Sequence, residues 1–193
     1  MADETALLAE AVDLQPVGDM APAAMASLAA RLSRLIELPV HLLPAAPLPA
    51  RRISGRDQLD AGDLLRQLEA AASPGPRLLV GVTGADIAIP VFTFVFGLAR
   101  QRGRACLVSL ARTDPAFYGL PADGELCSGR AACEVLHELG HLAGLEHCRD
   151  RGCLMSFAGS IEAVDTRGDR FCGDCALRLP RWMAGRPRLV EPV

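Results

Sequence analysis

Apolar positions along the first two-thirds of the chain alternate between short continuous runs and stretches of helical period. That is the pattern of strands interleaved with helices. AVDLQPV (residues 11–17) predicts a first strand. In residues 21–38, Met25, Leu28, Leu32, Leu35 and Ile36 share one helix face, with Pro22 suited to the first turn. LPVHLLP (38–44) predicts a second strand, running into the proline- and alanine-rich PAAPLPA. A second helix is expected over about 57–72, with Leu64, Leu65, Leu68 and Ala71 inward and SPGP closing it. RLLVGVT (77–83) and RACLVSL (104–110) read as further strands on either side of an apolar, buried 87–99 stretch, and 112–129 as loop. The alternation predicts right-handed βαβ crossovers and a mostly parallel sheet. One α/β domain is expected over 1–193, with a scaffold in 1–130 and the chemistry in 131–193.

Composition changes this picture little. Half of the 193 residues are hydrophobic and 22% are charged, as in a soluble globular domain. A net charge of −3 gives no reason to expect a nucleic-acid or membrane partner. The most apolar region, 78–99, is broken by Asp86, Pro90 and three glycines, so it reads as buried strand and not as a membrane span. MADETALLAEAVD lacks the basic start and long apolar core of a secretory signal, so a cytoplasmic location is expected. Seven cysteines in that compartment point to metal sites or free thiols before disulfides.

The chemistry lies in HELGHLAGLEHCRDRGCLM (137–155). On a helix His137 and His141 are i and i+4, so both rings project from one face, where neutral imidazoles bind zinc at roughly 2.0–2.1 Å. Glu138 lies beside that pair, placed to act as general base on a water without using a ligand position. Gly144 can adopt the positive φ that ends a helix and returns His147 as third ligand. Three protein ligands leave a tetrahedral ion one open position, the mark of a catalytic site. The full pattern HExxHxxGxxH is the metzincin form.

Cys148, Cys153, Cys172 and Cys175 form two pairs, C-x-x-x-x-C and C-x-x-C, resembling the knuckles of a closed, all-thiolate structural zinc site. Seven ligands exceed one tetrahedral site, and imidazole and thiolate separate along the chain, so two zinc ions are expected. The second would clamp the C-terminal segment and fix where His147 points. Met155, two residues past Cys153, sits where a metzincin places a methionine turn beneath its histidines.

The run 137–155 followed by FCGDC resembles the archaemetzincins. VTGADIAIPVFTFVFGLA and ARTDPAFYG are similar to blocks of that family, and RDQLDAGDLL more weakly, so the resemblance spans most of 56–180. It implies a zincin-like domain with a twisted mixed β-sheet, an active-site helix and a small C-terminal part held by a four-cysteine zinc. It further implies a catalytic zinc on His137, His141 and His147, Glu138 as general base and Met155 in the Met-turn. A zinc metallopeptidase acting on a peptide or protein substrate is expected, with aminopeptidase and endopeptidase action both open. The strand at 104–110 is the expected edge for pairing with a peptide.

Other residues carry less. Cys133, four before His137, falls on the histidine side of the helix but reads as small core; Cys106 and Cys127 read as structural, in a strand and a loop. His41 reads as a core or edge histidine, Arg178, Arg181, Arg186 and Arg188 as a solvated face, and Tyr118 as a residue able to reach a substrate. The rival classes are a zinc-stabilised binding protein with little activity, a nucleic-acid-binding zinc ribbon and a metal hydrolase of non-peptide bonds. Acidic balance and the histidine ladder argue against the ribbon.

Overall fold

The computed structural model of the chain describes residues 8–47 and 51–184. Its centre is a five-stranded sheet built from β1 (Ala11–Pro16), β2 (Val40–Leu42), β4 (Arg77–Thr83), β6 (Gly97–Ala99) and β7 (Ala105–Ser109), in the order β2-β1-β4-β7-β6. The first four strands in that order run parallel, and β6 is antiparallel to β7. A separate parallel pair joins β3 (Leu59–Asp60) to β5 (Ile87–Ala88). The strand at 104–110 is therefore not an edge. It lies between β4 and β6, and β6 takes the edge position.

Two helices cover one face of the sheet and one covers the other. α1 (Pro22–Leu35) and α3 (Gly124–Leu142) share a core with Val12, Leu14, Val80 and Val108, to which α1 contributes Met25, Leu28 and Leu32. α2 (Ala61–Ala71) packs Leu64, Leu65 and Leu68 against Leu79 and Leu107 on the opposite face. The strand residues divide with the period of two that a pleated strand imposes, which explains why β4, covered on both faces, reads as a continuous apolar run. Among the described residues no helix is long and apolar enough to cross a membrane.

The helix expected over 57–72 starts at Ala61, because Leu59 and Asp60 pair with β5 and the Asp60 carboxylate then accepts from the Asp63 amide at 3.1 Å as an N-cap. The 87–99 stretch is not uniformly buried. Between β5 and β6 it loops outward, leaving Val91 81% exposed. The 112–129 loop instead contains a short 3-10 turn (Pro115–Tyr118) and the first turns of α3, whose N-cap Asp123 accepts from Glu125 and Leu126 amides.

α3 positions the site. Its Ala131, Ala132, Val135, Leu139 and Leu142 enter the core, so His137, Glu138 and His141 are turned toward β6 and the cleft beyond it. The chain then continues through α4 (Ile161–Thr166), α5 (Gly173–Ala176) and α6 (Arg181–Ala184).

Candidate active site and a second metal-ligand cluster

Gly144, at φ +93°, ends α3, and its amide and that of Leu145 bond back to His141 O and Gly140 O, both at 2.9 Å. The turn brings His147 beside the two helical histidines, with ring centroids 4.8–5.3 Å apart across the trio. Leu154 O lies 2.8 Å from His137 Nδ1, and Leu145 O lies 2.8 Å from His141 Nδ1. A carbonyl only accepts, so each Nδ1 carries the hydrogen and each Nε2 presents its lone pair to the centre. Burial, the Arg167 guanidinium next to His137, and in His147 the neighbouring His141 all push the three imidazoles toward the neutral form.

The donor set fits a tetrahedral metal. One ligand atom from each histidine lies within 4.8 Å of the others. The Nε2 atoms of His137 and His141 are 3.2 Å apart, close to the about 3.3 Å expected of two ligands with bonds near 2.0–2.1 Å on a tetrahedral ion. Cys148, Cys153, Cys172 and Cys175 form a second cluster, again within 4.8 Å. There Cys148 Sγ and Cys172 Sγ are 3.8 Å apart, which matches the roughly 3.8 Å edge of a tetrahedral zinc thiolate with 2.3 Å bonds. Cys172 precedes α5, and the amide of Cys175 lowers its thiol, while burial raises those of Cys153 and Cys175.

The clusters are joined by main chain. Cys148 N donates to Met155 O at 2.8 Å, and Met155 is fully buried beneath the helix, where a Cβ on Gly140 would come 2.5 Å from its sulfur. Glu138 is 5% exposed and packs against Gly97 of β6, at which a Cβ would meet Glu138 Oε1 at 2.5 Å. Only glycine leaves that carboxyl its place. Burial, with the Glu134 carboxylate nearby, holds Glu138 well above the usual carboxyl range.

The cleft over the histidines has a volume of about 430 Å³ and is lined by Phe92, Phe94, Phe96 and Phe157, four of the chain's six phenylalanines. Phe157 packs edge-on to His147 at 5.3 Å, and Phe92 stands 6.3 Å from Phe157 across the opening. Glu134 and Arg167 also line the cleft and form an ion pair. Neither was singled out in the sequence. The only signal was a carboxylate three residues before His137.

Several residues stand elsewhere. Tyr118 hydrogen-bonds Arg112 O at 3.1 Å and does not line the cleft. Cys133 faces a cavity between α1, α3 and α4, and Cys127 belongs to α3, 3.3 Å from Thr113 Oγ1. Cys106 is buried in β7. His41 is a half-exposed edge residue beside Asp13 at 3.3 Å. Arg178 and Arg181 are exposed, while Arg186 and Arg188 lie outside the described residues.

Known proteins are similar to this chain in sequence and in fold. The description "Peptidase family M54" matches residues 77–181, more than half of the chain. The chain belongs to that family. Its relatives include the archaemetzincin of Methanocaldococcus jannaschii, 35% identical across 86% of this chain and 90% of that protein. The archaemetzincin of Natronomonas pharaonis is 31% identical across 87% and 98%. Among solved structures, a zinc-dependent peptidase from Methanocorpusculum labreanum superposes with a TM-score of 0.78 at 27% identity, covering 87% of this chain and 99% of that one. Archaemetzincin from Archaeoglobus fulgidus gives 0.74 at 31% identity with the same coverage. The M54 chain is thus a metallopeptidase of archaemetzincin type, with the α/β, twisted mixed-sheet fold and C-terminal cysteine cluster of that resemblance.

Proposed function

We propose that the chain hydrolyses peptide bonds with zinc on His137, His141 and His147 and with Glu138 as general base. A second, structural zinc on Cys148, Cys153, Cys172 and Cys175 holds the C-terminal part. The observation that carries this reading is one ring nitrogen from each of three histidines, all within 4.8 Å of one another, on the floor of a cleft beside a buried carboxyl. When bound there, zinc supplies a Lewis acid that polarises the scissile carbonyl and lowers the pKa of water toward about 7. Glu138 takes the proton from the attacking water and passes it to the departing amine. Burial alone favours its neutral form, while positive charge at the histidines acts in the opposite sense and favours the carboxylate. The edge strand β6 offers backbone partners to an extended peptide, and the four phenylalanines offer apolar walls.

Metal analysis tests this directly. The protein should carry two zinc ions per chain, and mild chelation should strip the histidine site first, because it has an open position and only neutral ligands. The ion left behind should show sulfur-only coordination by X-ray absorption. A stable one-zinc protein with mixed nitrogen and sulfur ligands would contradict the division.

The finer reading is an aminopeptidase. A peptide antiparallel to β6 has its N-terminus toward Ala99 and Gln101, and the exposed Glu146 also lines the cleft, next in sequence to His147. This reading takes Glu146 as the acidic group that would receive a free α-amine. Free-amine peptides should be cleaved at least about 10-fold faster than their N-acetylated forms, the worth of one charged hydrogen bond, and Glu146→Gln should abolish the difference. Equal rates on both forms would assign endopeptidase action instead.

A further inference from the structure

We propose that the buried Arg167–Glu134 ion pair is a positioning device for the histidine centre, holding the His137 ring and the chain beneath it in the geometry that takes zinc. This rests on the histidines being the zinc site, as proposed above. Glu134 stands on α3 one turn before His137, and Arg167 directly follows α4; both side chains are only 3% exposed. Arg167 Nη2 donates to Glu134 Oε1 at 2.6 Å. Its Nη1 donates to Ser156 O at 3.3 Å and stands 3.2 Å from His137 Nδ1. One guanidinium therefore touches the active-site helix, the turn that carries Met155 and the first histidine.

The contact with His137 has a direction. Leu154 O is the nearer neighbour of Nδ1, at 2.8 Å, so Nδ1 keeps its hydrogen for that carbonyl. A guanidinium carries donors only and cannot accept that hydrogen. Against this tautomer Arg167 is a wall and not a partner: it occupies the space into which the ring would turn. By holding Ser156 O it also keeps the neighbouring Leu154 carbonyl within reach of Nδ1.

Stability does not explain the pair. Removing two charges from water is seldom repaid by their attraction, and well-packed apolar residues of similar volume often serve as well or better. Among the described residues Arg167 Nε has no hydrogen-bond partner, a buried donor left unsatisfied. What distinguishes the residue is the fork geometry of arginine, whose rigid plane reaches the helix carboxylate, the turn carbonyl and the histidine ring together.

The test is the full chain with Glu134→Leu and Arg167→Met together. Zinc affinity at the histidines is measured by competition with a chromophoric chelator, and thermal unfolding is followed in parallel. The double variant should melt at or above the wild-type temperature, yet bind the histidine zinc about 10–100-fold more weakly, the usual effect of removing the group that orients a ligand. Wild-type affinity with an intact fold would overturn the proposal. If the double variant does not fold, Arg167→Lys decides, because an ammonium keeps the charge opposite Glu134 without the fork. It should lose at least about 10-fold in affinity, and wild-type affinity would again overturn the proposal. A wild-type chain that binds no zinc at its histidines would refute the proposed function instead, and that result is read before any variant is made.

Discussion

Glu138→Gln is expected to keep both proposed zinc ions and to melt within a few degrees of wild type, but to lose about 10²–10⁴-fold in peptide cleavage, the contribution typical of a general base. In barrier height this is roughly 3–5 kcal/mol. Glutamine matches the shape of the carboxyl that fits against Gly97, so packing between α3 and β6 is preserved. Burial already disfavours the charged form, so the amide exposes no new unpaired ion. What it lacks is the ability to accept a proton. Zinc content, melting temperature and single-turnover rate on a substrate that wild type cleaves in a zinc-dependent way separate these effects. Equal rates for wild type and variant would remove Glu138 from the base role. If neither cleaves any member of a diverse peptide library, the zinc-stabilised binding protein becomes the better account.

The histidine trio is legible in the sequence because its geometry is local. Two histidines one helical turn apart and a glycine turn set three rings within the 11 residues 137–147, whatever the sheet does. The cysteine cluster is nearly as local, since each half is a short pair and Cys148 adjoins His147. The scaffold strands also follow from period and apolar runs. β6 does not, because Gly97–Ala99 has no alternation or β-branched side chain to mark it, and becomes a strand only by pairing with β7. For the same reason the 104–110 strand reads as an edge until its neighbour is seen. The N-terminal turns of α3 are hidden by Gly124, Ser128 and Gly129, poor helix formers that the Asp123 cap and tertiary packing override. The Arg167–Glu134 pair spans 33 positions, and neither residue announces the other. Non-local contacts of this kind depend on where α4 docks, which no short pattern encodes.

Cys153→Ser is expected to lower the melting temperature by at least about 10 °C, whereas His147→Ala shifts it by only a few degrees. The Cys153 side chain is fully buried, and its sulfur receives the Cys172 amide at 3.3 Å, so it joins the loop after α3 to the start of α5. The cluster around it buries Leu145 and Met155, so loss of the zinc proposed there would release the turn beneath the histidines as well as the C-terminal segment. A structural zinc contributes on the order of 10 kcal/mol of binding energy to the fold that presents its ligands, against a total stability of about 5–15 kcal/mol for a native domain. A serine oxygen is a poor substitute for a thiolate, so a substantial part of that contribution disappears. His147 is exposed and lines the cleft, so removing it would empty the proposed ligand position without opening the interior. Thermal unfolding with parallel zinc counting distinguishes the two outcomes: the serine variant should lose the sulfur-bound ion and much of its stability, and the alanine variant should lose only the nitrogen-bound ion. Equal melting of both variants, each still holding one tightly bound zinc, would show that the cysteines do not form the separate structural site from which the stability of the C-terminal part is argued.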